Sequence, residues 1–202
     1  MTSRVIAVAS VAGATVLAGM VVAACSGTST MASTPSTSTS AVSMSMPAAG
    51  TDYTALLIQG SDVSTTPPNV FTPAEPPVQN PNAMPGAAVV FKNQDDSTRI
   101  GDTVLILTDA GAAANAMSGS VASLGNTVTG GNPQPISVGD GGTIVAGTSP
   151  DRSKEVTVLL FTEGKAFVTL EFDGAPGDDV PTDYALTVAQ QQDGAVKNKL
   201  SG

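Results

Sequence analysis

Two pairs of adjacent aspartates, Asp95-Asp96 and Asp178-Asp179, come nearest in this chain to a catalytic arrangement of side chains. Two carboxyls facing each other across a glycosidic bond can divide acid and base roles between them. Both pairs sit among Asn, Gly and Ser, where aspartates ordinarily serve as solvated turn residues, and no nucleophile–base pair can be named around them. The loop Gly139-Asp140-Gly141-Gly142-Thr143 has the glycines of a phosphate or calcium loop but a single carboxylate, whereas calcium needs several at alternating positions. Gly164-Lys165 lacks the rest of a phosphate-binding loop, since position 159 is Leu and position 166 is Ala. Histidine is absent, so there is no Ser-His-Asp or Cys-His unit, no histidine zinc site and no histidine-ligated haem. With Cys25 the only cysteine, there is no internal disulfide and no thiolate metal cage. The expectation is a non-enzymatic protein with no catalytic residues, no metal and no cofactor.

Charge points the same way. Seventeen acids face eight bases, for a net charge of −9. Such a surface repels phosphate backbones and anionic headgroups, which argues against nucleic acid as a partner. Five Phe, two Tyr and no Trp leave little for an open carbohydrate platform built on ring stacking.

The first 24 residues read as an export signal. Arg4 gives a short positive start, and Val5 to Val22 is an unbroken run of small and apolar residues. That run is only mildly hydrophobic, and no positive stop-transfer cluster follows it, so a cleaved signal peptide fits better than a transmembrane helix. It ends in Val22-Ala23-Ala24-Cys25, which resembles the bacterial lipobox. The resemblance implies that the Cys25 sulfur receives diacylglycerol, that the chain is cut before it, and that the protein is held at the outer face of the cell membrane. Two or three acyl chains, at about 0.8 kcal/mol per buried CH2, anchor a protein almost permanently, so no second membrane element is needed. Residues 25–50 continue as a Ser/Thr/Pro-rich tether without charge or bulk, too polar to offset the entropy of ordering. The same composition is that of an O-glycosylated stalk.

Residues 51–202 are long enough for one ordinary core and form a single expected domain. Asp52 to Ile58 reads as a short helix or strand docking on that core. Residues 64–86 hold seven of the 14 prolines, a density that opposes regular structure and predicts a rigid, extended covering segment. Then the pattern sharpens. Ala88–Phe91 and Asp102–Leu107 read as strands. Asp109 can cap a helix on which Ala113, Met117, Val121, Leu124 and Val128 share a face. Strands are expected near 134–138 and 143–148 about the Gly139–Gly142 turn. Val156–Phe161 and Ala166–Phe172 form the clearest hairpin, around Gly164, with the first strand apolar on both sides and therefore central. On the second strand Val168, Leu170 and Phe172 alternate with Phe167, Thr169 and Glu171. A last helix begins near Pro181 and lines up Ala185, Val188, Gln192, Val196 and Leu200, with Lys197 and Lys199 in its final turn. The fold class is α+β: an antiparallel sheet with two main helices packed on it.

Lipobox, Ser/Thr/Pro stalk and small low-charge domain together resemble the lipoproteins of mycobacteria and their relatives. From about Thr143 to Leu200 the hairpin-then-helix layout is also similar to the LpqN-type, Mog1/PsbP-like lipoproteins, although the proline-rich segment and the lack of Trp depart from that pattern. The resemblance implies a non-enzymatic accessory or binding role in the envelope and transfers no functional residues. Three functions are therefore ordered: a monomeric binding domain for a partner protein or cell-wall component; a lipid or glycolipid carrier with an apolar pocket between sheet and helices; and, last, a hydrolase. Small Ala-rich helices pack close to a sheet and leave little pocket volume, which favours the first.

Overall fold

The structure is a computed structural model, and it describes residues 51–65 and 69–200. Cys25, the lipobox residues Val22, Ala23 and Ala24, and the tether lie outside the described residues.

Eight strands form one antiparallel sheet: β1 (Thr72–Pro73), β2 (Val78–Gln79), β3 (Gly86–Lys92), β4 (Arg99–Ile106), β5 (Gln134–Ile136), β6 (Gly141–Thr148), β7 (Glu155–Glu163) and β8 (Ala166–Gly174). The order across it is β1-β3-β4-β8-β7-β6-β5, with β2 also paired to β3. The short helix α1 (Gly60–Val63) precedes the strands, α2 (Ala110–Ser123) follows β4, and α3 (Thr182–Leu200) closes the domain. The α+β class read from the sequence is the observed one.

Each strand alternates its side chains, so the sheet has two faces with different covers. On one, Val168, Leu170 and Phe172 of β8 are wholly buried with Ala185, Val188, Ala189 and Val196 of α3. Leu56, Leu57 and Ile58, which follow a 3-10 turn at Thr54–Leu56, complete that core beside Val63. On the other, Phe167, Leu160, Val158 and Val156 meet Ala113 and Leu124, with Met117 and Val121 half-buried against them. β7 lies between β8 and β6, and every residue from Val156 to Thr162 is buried, as expected of a strand covered on both faces.

Local chemistry sets the boundaries. The Asp109 carboxylate accepts the Ala112 N–H at 2.8 Å and caps α2. The sequence carried this helix on to Val128, but it tightens into a 3-10 turn at Leu124–Asn126. Gly125 and Asn126 are weak helix formers, and Val128 reaches the core from beyond the helix end. β7 and β8 are joined through Gly164-Lys165, with Glu163 opposite Ala166. Gly164 takes φ 53°, the positive angle a tight hairpin turn asks of its first central residue.

The proline-rich segment is the clearest correction. Instead of covering the sheet without regular structure, it supplies two two-residue strands that lie end to end along the outer edge of β3. Pro73 cannot donate to a ladder, but at an outer edge no donor is required of it. The pairing is kept by residues that retain an N–H: Ala74 donates to the Val90 carbonyl and Asn80 to that of Gly86, each at 2.8 Å. Pro76-Pro77 separates the two strands.

A second feature of the core is polar. Gln192 of α3, fully buried, accepts from the Ile58 N–H at 2.9 Å and donates to the Leu56 carbonyl at 2.7 Å, clamping the N-terminal segment across more than 130 residues of chain. Near it Asp102 of β4 is also fully buried, between Val89 and Leu170 in the ladder, and among the described residues its carboxylate has no well-formed hydrogen bond, only the pull of the Ile58 N–H that Gln192 already accepts. Loss of water pushes its pKa up to about 8.

Candidate functional site

The acidic pairs occupy separate places and do different work. Asp95 accepts from the backbone and hydroxyl of Ser97, bonds that hold its carboxyl below the usual range. Asp96 binds Arg99 with both oxygens, at 2.9 Å each, and that pairing lowers it as well. A general acid needs its proton at neutral pH, so both shifts run against that role. Asp178 and Asp179 are exposed and help line a cleft of about 250 Å3 that also includes Thr98 and Tyr184 but neither Asp95 nor Asp96. The Tyr184 hydroxyl is already given to the Val63 carbonyl. Asp140 accepts from the Gly164 N–H at 2.7 Å, so the glycine loop and the hairpin turn brace each other. Among the described residues no group of three or more His, Cys, Asp or Glu side chains could hold a metal ion, and no helix is long and apolar enough to cross a membrane.

A different surface emerges from the strand register. Among the described residues the α2 layer covers the face carrying Phe167 over β7, β8 and the Leu105 end of β4, and leaves the rest of β4 and β3 uncovered. Reading across the bare part, directly opposed residues form three rows. Val78, Ala88, Thr103 and Thr169 make the first. Val90, Gly101 and Glu171 make the second, and Lys92, Arg99 and Asp173 the third. Val78 is 55% and Val90 44% exposed, uncommon for β-branched residues in a sheet. Two adjoining clefts of about 470 and 310 Å3 occupy this face and share Val90 and Arg99.

The electrostatics are uneven. Lys154 pairs with Asp173, and Arg99 with Asp96. Lys92 shares the larger cleft with Glu75. Glu171 has no ion pair among the described residues. Burial, and after it the neighbouring Asp173 carboxylate, raises its pKa against the pull of Lys154. The arrangement offers a concave, mixed floor, with apolar Val78, Ala88 and Val90 beside threonines and charged groups, and one half-buried carboxylate outside any ion pair among the described residues. The sequence carried part of this signal, because Thr169 and Glu171 were placed on the face opposite Val168, Leu170 and Phe172. It gave no sign that Val78 and Val90 would meet them, since the pairing of β8 with β4 and of β2 with β3 is not local.

The comparisons add little beyond shape. No family model matches the chain, and no curated protein matches it. Among solved structures it is similar to the extracellular domain of PknH from Mycobacterium tuberculosis, with a TM-score of 0.48 and 13% identity over 73% of this chain and 95% of that one. At that distance no function passes from one to the other.

Proposed function

We propose that residues 51–202 are a non-catalytic recognition domain of the cell envelope, held at the outer membrane face by lipid on Cys25, with the bare half of the sheet as its working surface. One observation carries this reading: Val78 and Val90 stand 55% and 44% exposed on a sheet whose other large apolar side chains are covered. Water-exposed apolar area on an otherwise well-covered fold marks a surface that a partner protects. The carrier reading would need room between helix and sheet, yet Ala185, Val188, Ala189 and Val196 of α3 are fully buried against β7 and β8. Small residues there bring α3 close, which supports a packed core in place of a lipid pocket.

The test uses a Cys25→Ser chain made without its first 24 residues, so that neither lipid nor the apolar run can retain it, sedimented with envelope isolated from the source organism. Val78→Asp with Val90→Asp should abolish retention, and Gln190→Asp on the exposed side of α3 should leave it unchanged. Equal retention of all three would remove the sheet face from consideration. Anchoring has its own measurement: labelled fatty acid should enter the wild-type chain and not Cys25→Ser, and equal labelling would refute the lipid on Cys25.

A further inference from the structure

We infer that the occupant of the bare sheet face is a protein segment in extended conformation that lays a lysine or arginine side chain over Gly101 against the Glu171 carboxylate. The inference rests on the recognition surface proposed above and names its partner's chemistry.

Gly101 is the first ground. A Cβ built there would touch only Glu171, at 3.9 Å, so no backbone crowding requires glycine at this position. What the missing side chain leaves is a notch in the middle of the second row, between exposed Val90 and half-buried Glu171.

Charge is the second. The ion pairs of this face are Arg99 with Asp96 and Asp173 with Lys154, and Lys92 also acts on Asp96. Glu171 is left over. Its carboxylate is held partly out of water and crowded by Asp173, with Lys154 pulling the other way, so a further cation brought onto it would favour its ionised form. A guanidinium or ammonium in the notch would pair with Glu171, and its aliphatic stem would lie on Val90.

Geometry is the third. Opposed residues on neighbouring strands lie about 5 Å apart and alternate residues along a strand about 7 Å, the same pitch an extended chain presents. The open positions include no aromatic ring on which a sugar could stack. That favours a peptide over a glycan.

The experiment titrates the Cys25→Ser chain with a capped peptide of alternating lysine and valine, and with the same peptide carrying acetyl-lysine or glutamate for lysine, following backbone amide resonances. The lysine peptide should move Gly101, Thr103 and Thr169. Glu171→Gln and acetyl-lysine should each weaken binding about tenfold or more, and together no further than either alone. Glu171→Lys should transfer the preference to the glutamate peptide. Equal binding of lysine and glutamate peptides, or indifference to Glu171→Gln, overturns the inference. So does a solubilised disaccharide–peptide fragment of cell wall that moves the Gly101 amide where the lysine peptide does not. If the lysine peptide fails while envelope retention still depends on Val78 and Val90, the basic segment is wrong and the recognition surface stands.

Discussion

Asp102 and Glu171 are near neighbours at the centre of the sheet, on paired strands and opposite faces: Gly101 faces Glu171 in the ladder, and Asp102 faces Leu170. Asp102 points under α3 and the N-terminal segment, where no water reaches it, and its pKa is pushed up to about 8. Glu171 points to the bare side and is only half-buried, with a smaller rise. The same chemical group thus carries two different costs, set by what covers it. A finished core can hold a carboxyl by keeping it protonated. A face that leaves its carboxyl half in water and outside any ion pair retains something to offer a partner.

The largest effect that could break this contrast lies at Asp102. Its folded pKa stands above the unfolded value of 3.8, so the unfolded state binds fewer protons between 3.8 and about 8, and stability falls as pH rises through that window. The slope approaches about 1.4 kcal/mol per pH unit. Asp102→Asn removes the titration, so urea denaturation should find the variant gaining on wild type steadily from pH 4 to 8, by several kcal/mol in all. Parallel curves would show that the carboxyl finds water or a partner.

A middle-sized effect belongs to the α2 side. Leu124 is 8% exposed at the end of the smaller cluster, and Leu124→Ala should cost about 2–3 kcal/mol, toward the low end for a buried leucine. A much smaller loss, together with an acyl chain extracted from the native protein and seen by mass spectrometry, would revive the carrier. The smallest effect tests the bare half directly. Thr169→Val should change stability by less than about 0.5 kcal/mol, because no layer packs on it. A loss of more than 1 kcal/mol in the same denaturation assay would reveal a cover over this face.

What the sequence disclosed follows the range of the forces involved. The Asp109 cap and the spacing from Ala185 to Val196 are local signals and appear in the structure as read; the alternation that put Val168, Leu170 and Phe172 on the buried side also appears, except that Phe167, read on the outward side, is buried in the α2 cluster. The edge strands of the proline-rich segment were hidden because their pairing partner, not their own composition, makes them strands. Asp102 read only as the first residue of a strand, since its burial depends on α3 and on residues 54–58 arriving above it. The candidate site was half legible. Its polar residues stood on the outward side of β8, but the rows they form need β3 and β4 beside them, and that adjacency is set by topology.

The Gln192 clamp also imposes an order of events. A chain made from its N-terminus releases Leu56, Leu57 and Ile58 long before Gln192, which holds the backbone of that triplet. Until α3 is out, three large apolar side chains and two backbone groups are without their final partners. The triplet is therefore where a holding chaperone would grip, and a ribosome stalled short of residue 192 would leave that grip unreleased.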